Sequence, residues 1–574
     1  MKMSDVDDIL FKESLINAYK YGKAEKKIVL KKIMANYPDL RSKAKEIAQK
    51  LDEIVQKVNS LPEEEIERIA HQKYAEEIKE EKKEREFLPD LPFAEEGKVK
   101  VRYPPEPSKH PHVGQMLSFC INDMLAEKYK GKRVLRFDDT NPEKVRAEYY
   151  DSFRDVINWM NLKIDEEALA SDYMKVYYEK ALHLIKSDDA FVCLCSRADV
   201  TKLRAEKKPC SCNLEHSVEK NTEFFEKMVA GNFSAGEAVI RLKGDMSAEN
   251  AALRDPILLR ISEHEHAIQG DKYHIWPMYD FESPIMENIT GVTHILRSIE
   301  FGKMREELQS LISKKLGVTP PHFLEYSRFR IIGAPTQGRI IRELVEEKIV
   351  TGWDDYRLVT YQALKRRGIQ PEVFPKIIER VGVTKSSTSI DWSLIFSINR
   401  KIIEPKVKHL YFVDNPIKIE IINPEPKKIK IPFHPYNKEL GERTIEVDNV
   451  LYLSGTDKDL IKENSIIRMK DLYNIKIVKK QSTDSFSAEI HSQELLTDIP
   501  KIQWVSDHIT VEIEKAEMLY LNNRINKDSL RKVQGYGEKK LLELQIGEII
   551  QLERFGYTKI NNIAEKVQMN YIHG

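Results

Sequence analysis

Four of the five cysteines in this 574-residue chain crowd together as Cys193-x-Cys195 and Cys210-x-Cys212, with fourteen residues between the pairs. Four thiolates so spaced can surround a Zn²⁺ ion tetrahedrally and pin a loop; free thiols are the alternative. A second candidate centre is Arg102-Tyr103-Pro104-Pro105-Glu106-Pro107-Ser108-Lys109-His110-Pro111-His112-Val113-Gly114-Gln115. Pro111 precedes a run of helical period, Gly114 has no side chain to obstruct a ligand lying on the backbone, and the free amides of a helix N-terminus attract phosphate. The chemistry suggested is nucleotide binding beside His112. A third concentration is charge: seven basic and three acidic residues lie between Lys458 and Lys480, a local +4, with Tyr473 and Asn474 among them. Basic groups hold phosphates while a ring and an amide stack on or read unpaired bases. Arg468, Lys470 and Tyr473 are therefore candidate RNA contacts, against the plainer reading of a solvated strand face.

The elements that must position these residues follow from periodicity. Apolar residues recur at three- and four-residue intervals through Ile47, Leu51, Ile54, Val55 and Val58, which predicts helices over the first ninety or so residues. From Glu63 to Glu86, ten acidic and six basic residues predict a solvated or partner-binding helix. Pro89 and Pro92 break the pattern, and a boundary is expected near Lys98. Then Lys98–Tyr103 alternates like a strand, Val113–Tyr129 has helical period, and Gly131–Phe137 reads as a turn and a second strand. Such a unit is a right-handed parallel crossover, whose ligands sit beyond the strand ends, just after Tyr103 and Phe137. Helical stretches run from about Tyr361 to Lys406. Beyond them, Ile417–Ile422, Ile466–Met469, Ile475–Val478 and Ile509–Ile513 predict one or two antiparallel barrels. Composition excludes other classes. Lys plus Arg and Asp plus Glu are 92 each, so net charge names no partner. No apolar stretch reaches the roughly 18 residues of a membrane span, and no secretory segment opens the chain. So few cysteines, clustered, point to a reducing, cytoplasmic compartment.

The loop around His112 resembles the first motif of the class I aminoacyl-tRNA synthetases of the glutamyl/glutaminyl group, R-F-P-P-E-P-x-G-x-L-H-I-G-H. His112-Val113-Gly114 falls on H-I-G. Further matches come in the family's order: Leu135-Arg136-Phe137-Asp138-Asp139-Thr140-Asn141-Pro142-Glu143-Lys144, Arg254-Asp255-Pro256, Tyr279-Asp280-Phe281, Gly291-Val292-Thr293-His294-Ile295-Leu296-Arg297, Gly352-Trp353-Asp354-Asp355 and Gln503-Trp504-Val505-Ser506. The resemblance implies a multi-domain α/β protein. Its expected parts are a helical N-terminal domain at 1–97, a Rossmann-like catalytic domain at 98–332 with an acceptor-end insertion at about 186–278, a degenerate second loop and helical stem at 333–406, and anticodon-binding β-barrels at 407–574. Some archaeal relatives look similar at the cysteines, and bacterial glutamyl enzymes have helices where this chain has strands, so the tail points to the archaeal and eukaryotic branch.

The implied reaction attaches glutamate to tRNA with ATP and Mg²⁺. Glutamate's carboxylate attacks the α-phosphorus, pyrophosphate leaves, and the acyl group passes to a ribose hydroxyl. Little covalent work falls to the protein, so catalysis is positioning plus charge stabilisation. By resemblance, His112, Gly114, Gln115 and Arg328 line the ATP site, and Asp138, twenty-six residues after His112, holds the α-amino group. Tyr279 belongs to the pocket, and Arg102 reaches the substrate's side-chain end. Arg297 stands where glutaminyl enzymes carry cysteine; only glutamate's carboxylate pairs with a guanidinium fork. Singly, each match has a plain rival as turn or core. Two departures stand out. Gln115 replaces the last histidine of the first motif, and the second signature loop, similar to M-S-K-R or K-M-S-K-S, falls on Thr336-Gln337-Gly338-Arg339, so that its lysine has become Gly338. Loss of one such donor costs about 2.7 to 4 kcal/mol in comparable sites, and Arg339 or Arg342 is expected to swing in as the substitute. Competing readings are a synthetase-derived RNA-binding protein with activation weakened or lost, and a glutaminyl enzyme. The retained Arg102, Asp138, Tyr279 and Arg297 favour a glutamate-using enzyme, since a module that never holds glutamate has no use for that charged set. Expected partners are tRNA(Glu), with tRNA(Gln) open, glutamate, ATP, no membrane, and a protein docking on the N-terminal helices.

Overall fold

The structure, a computed structural model, describes residues 3–74, 87–299, 302–424 and 427–574. It divides into two compact units, Met1–Phe87 and Leu88–Gly574. In the first, helices Met3–Tyr21, Lys26–Asn36, Ala44–Asn59 and Glu63–Lys73 enclose Leu10, Leu15, Val29, Ile33 and Leu51. Helix Ala44–Asn59 turns Ile47, Leu51, Val55 and Val58 inward, the spacing that one face of a 3.6-residue helix requires. The later half of the charged run, residues 75–86, lies outside the described residues. Among those described, no helix is long and apolar enough to cross a membrane.

The second unit takes in Leu88–Gly97, ahead of the boundary expected at Lys98: Leu88 and Leu91 are buried, and the Leu91 amide donates to the Tyr129 hydroxyl at 3.1 Å. Strands β1 (Lys100–Tyr103), β2 (Lys132–Phe137) and β3 (Glu166–Leu169) pair in parallel in that order, with helix Val113–Lys128 in the first crossover. The chain then inserts an antiparallel sheet of β4 (Ala190–Cys193), β5 (Val239–Leu242), β6 (Ile257–Ile261) and β7 (Ile275–Pro277). It returns through helix Tyr279–Thr290 to β8 (His294–Ser298) and β9 (His322–Tyr326), again parallel. Thr293 joins the two parallel pieces: its amide donates to the Lys100 carbonyl, and its hydroxyl accepts from the Lys100 amide, both at 2.9 Å. The order is thus β3-β2-β1-β8-β9, with a reversal between β1 and β8. At such a reversal the connections leave to opposite sides and open a crevice beyond the carboxyl ends of the strands.

Helices Gly338–Glu346, Tyr361–Arg367, Val373–Val381 and Trp392–Ile403 follow. Alongside the two-stranded pairs Lys427–Pro432 with Glu442–Val447 and Tyr520–Leu521 with Arg524–Ile525, two large sheets follow among the described residues. One has seven strands, and its two edge strands, Lys408–Leu410 and Phe412–Asp414, are consecutive in the chain, so the sheet closes on itself through Tyr411. The other has six strands, and a bridge from Val505 to Tyr452 brings its ends together. Both are mixed rather than purely antiparallel as expected: Ile417–Ile422 pairs in parallel with Ser485–Ser492, and His508–Ala516 with Val567–His573. Closing a curved sheet with chain segments distant in sequence frees the pairing from hairpin order.

Candidate active site in the crevice

A cavity of about 680 Å³ opens at the reversal, lined among others by Arg102, His112, Gly114, Asp138, Tyr279 and Arg297, a size that suits a small-molecule site. The residues singled out after β1, β2 and β8 therefore converge, because all three strands end on the same crevice.

His112 is the N-cap of helix Val113–Lys128. Its Nδ1 accepts from the Gly114 amide at 3.1 Å, and the Gln115 side chain returns to the His112 amide at 3.2 Å, a reciprocal capping box. Gln115 is thus a working partner of His112. A Cβ on Gly114 would lie 3.0 Å from the His112 ring, so the missing side chain makes room for the cap itself, not only for a ligand as expected. Burial, then Lys109 and Arg328, hold the His112 pKa well below its ordinary value; the ring is neutral and leaves the helix amides as the positive end facing the cavity. Behind it, the Val113 amide donates to the Val359 carbonyl at 2.9 Å, and Trp353 packs edge-on against His110 at 5.3 Å. The Gly-Trp-Asp-Asp motif is a buttress for the first loop.

The acid expected to hold an α-amino group, Asp138, lies at the cavity wall but is clasped by Arg136 through 2.6 Å and 3.2 Å bonds. Arg136 also pairs with Glu287 at 3.0 Å, and Arg102 pairs with the same carboxylate at 2.5 Å. Arg102 is therefore held by a protein partner rather than standing free for substrate. Glu282, fully buried and also lining the cavity, has no hydrogen-bond partner on either oxygen. Two guanidiniums thus face three carboxylates. Burial, then the Asp138 charge, push Glu282 well above the ordinary carboxylate range; burial also opposes the Glu287 charge, but Arg102 and Arg136 outweigh it and hold Glu287 low. The cluster can accept one more cation, such as an ammonium, when Glu282 ionises. Arg136, Glu282 and Glu287 were missed in the sequence; the signal for them was charge at buried strand and helix positions. Asp139, by contrast, is consumed by Tyr150 and Ser171 at 2.7–2.8 Å and is structural.

Arg297, 4 % exposed on β8, donates from Nη1 to Gln309 at 3.1 Å and stacks on Phe323 at 4.4 Å. Its Nε and Nη2 have no hydrogen-bond partner, and its pKa is lowered, first by burial. Nη2 faces the Glu306 carboxylate at 3.9 Å, beyond hydrogen-bond reach, so both donors stay open to an anion that enters the cavity. Tyr279 shares the lining, with Arg305 over its ring at 5.7 Å. Arg328 and Lys109 line the His112 side. Arg339 does not line the cavity: its side chain is 83 % exposed and pairs with Glu343 at 3.6 Å. Gly338 begins helix Gly338–Glu346, which directs the next residue outward.

The sequence matches the family described as tRNA synthetases class I (E and Q), catalytic domain, over residues 98–405, and that family's anticodon-binding domains over 409–494 and 501–561. The chain belongs to this family. Among its relatives, a glutamate–tRNA ligase of Nitrosopumilus maritimus is 41 % identical over 96 % of both chains. Those of Korarchaeum cryptofilum and Pyrococcus furiosus are each 36 % identical, over 97 % and 99 % of this chain and 98 % and 100 % of theirs. In this class I synthetase, the four clustered cysteines bring their sulfurs within 4.8 Å of one another, with Cys193 and Cys210 at 3.8 Å and Cys195 and Cys212 at 3.5 Å. Four thiolates at about 2.3 Å from a tetrahedral zinc stand roughly 3.8 Å apart, so the set fits that ion; the Leu194 amide already points at the Cys212 sulfur, at 3.4 Å.

The expected RNA contacts fare differently. Tyr473 is 2 % exposed and part of a barrel core, so its ring cannot stack on a base. Asn474 is fully buried and donates to Ser492 at 2.7 Å. Arg468 reaches the Gln493 and Glu494 carbonyls at 3.1 Å and 3.3 Å, and Lys470 pairs with Glu553. Barrel strands alternate inward and outward, a distinction a charge count ignores. The exposed cations of this stretch are Lys458, Lys462, Lys479 and Lys480.

Proposed function

We infer that this chain is a glutamate–tRNA ligase, which activates glutamate with ATP and passes it to the 3′ end of tRNA. The observation that carries the reading is Arg297: a buried guanidinium with two unused donors, on the same cavity as an acidic cluster with one carboxylate in excess. Glutamate presents the complementary pair, a side-chain carboxylate for Arg297 and an ammonium for Asp138 and Glu282. Glutamine would leave Nε and Nη2 without a charged acceptor in hydrogen-bond reach, the Glu306 carboxylate standing 3.9 Å away, and sites built around such a partner reject analogues lacking it by roughly 10⁴ to 10⁵. ATP lies with its phosphates toward the helix N-terminus at Gly114. There the neutral His112 ring fixes the amides, and cations on that wall stabilise charge as the α-phosphorus is attacked. Mg²⁺ would supply charge neutralisation for the polyphosphate, and the exposed Glu106 on the lining would help hold it. Zinc in the four thiolates would brace the inserted sheet. The RNA-binding reading without catalysis is not favoured, because the glutamate-binding charges are kept in register; a glutaminyl enzyme is not favoured, because Arg297 fills the deciding position.

The acceptor proposed is tRNA(Glu), bound along the barrels; the N-terminal helices are the proposed dock for a protein partner, and the compartment is the cytoplasm. ATP/pyrophosphate exchange with glutamate, run with and without tRNA, tests the reaction: absence of exchange in both ends the reading. Charging assays with tRNA(Glu) and tRNA(Gln) side by side decide whether the second is also a substrate.

A further inference from the structure

Lys109 and Gly338 occupy one space. A Cβ built on Gly338 would fall 2.9 Å from Lys109 Cδ and 3.3 Å from its Cβ, so the lysine stem fills the volume that any side chain at 338 would need. In the family motifs quoted above, these two positions carry the reverse pair: glycine in the first motif where Lys109 stands, and lysine in the second loop where Gly338 stands. The side chain that fills this space here therefore comes from the first motif instead of the second loop. Lys109 lines the cavity together with His112, Gly114 and Arg328, and its charge is felt at the His112 ring. The alternative substitute, Arg339, is turned to solvent. Arg342 is engaged through Nη1 with the Ser108 carbonyl at 3.4 Å. Burial lowers the Lys109 pKa, the cost of a cation held beside a pocket and offset when an anion enters.

We propose that Lys109 supplies, from the first motif, the phosphate-binding ammonium that Gly338 no longer provides from the second loop. Its Nζ contacts the polyphosphate of ATP. As a glutamate carboxylate oxygen bonds to the α-phosphorus, the bridging α-phosphorus–oxygen bond breaks and its electron pair leaves with pyrophosphate. Lys109 stabilises that charge by hydrogen bonding without giving up a proton.

This inference rests on the reading of glutamate activation above, and its test separates the two. Lys109→Ala, Lys109→Arg, Lys109→Gly and the double variant Lys109→Gly/Gly338→Lys are compared with the unaltered chain for glutamate-dependent ATP/pyrophosphate exchange with tRNA, and for ATP binding by calorimetry. Lys109→Ala is expected to slow exchange by about 10² to 10³ and to weaken ATP binding about tenfold. Lys109→Arg keeps the larger part of both, and the double variant exceeds Lys109→Gly in exchange by about tenfold or more. Exchange and ATP binding by Lys109→Ala both within about twofold of the unaltered chain would overturn the inference. A chain that binds ATP in a Lys109-dependent way but shows no exchange with glutamate would instead defeat the reading of the reaction and leave the lysine's assignment standing.

Discussion

The crevice and the six-stranded barrel treat their charged residues in opposite ways. At the crevice, Asp138 and Arg297 follow β2 and lie on β8, and both reach one cavity because parallel strands deliver their ends to the same side. In the barrel, Arg468, Lys470 and Tyr473 sit on or beside a short strand and are absorbed by neighbours: two carbonyls, a carboxylate and a hydrophobic core. Position at a strand end predicts which side chains reach a cavity better here than local charge predicts which reach an open surface, because the fold fixes where ends point while a strand's faces alternate.

The sharpest way to break that contrast is Arg297→Cys. Glutamate-dependent kcat/KM should fall by about 10⁴ with little loss of melting temperature, since the change removes a partly idle buried cation; unaltered kinetics would show that the crevice does not select by charge. Tyr473→Ala should behave as a core truncation and cost roughly 3–5 kcal/mol in unfolding free energy. Loss of tRNA affinity at full stability would instead put its ring on the RNA. Joint replacement of Lys462, Lys479 and Lys480 by Ala should weaken tRNA binding and reduce its salt slope by about one for each phosphate left without its cation, measured by titration at several ionic strengths. The smallest effect belongs to Glu282. Its folded pKa is raised above the ordinary 4.5, so the folded state holds that proton more tightly. Its contribution is full below that ordinary value and lost as pH rises toward the raised one. Glu282→Gln should therefore flatten the decline of melting temperature as pH rises above the ordinary 4.5; an identical decline in the variant would place the charge elsewhere.

Much of the crevice was legible because its residues lie in short loops directly after strands, where type and spacing carry geometry. The helix at Val113 and the parallel pairing of β1 with β2 followed from that, whereas the gathering of Asp138, Tyr279 and Arg297 beside His112 was legible only through the family resemblance. What stayed hidden depended on contacts between segments far apart in sequence. Nothing near Arg102 announces Glu287, 185 residues on, as its partner. Nothing in Thr336–Arg339 reveals that Lys109 fills its space. The barrels were legible as strands but not as topology: Gln503 donates to the Phe412 carbonyl at 2.6 Å and Trp504 to the Lys470 carbonyl at 2.9 Å, so that a motif readable as a signature proves to be a clasp between strands.

In the seven-stranded sheet, the last strand of the chain order, Val567–His573, lies between Gly556–Ile563 and His508–Ala516. During synthesis, the crevice strands have all left the ribosome more than two hundred residues before this interior strand exists. Domains generally fold as units from the N-terminal side, so the nascent chain passes through a stage in which a formed nucleotide crevice trails an unfinished barrel with an open edge. Premature termination even slightly short of residue 567 leaves that edge exposed, and such a product is a candidate for aggregation rather than for partial activity.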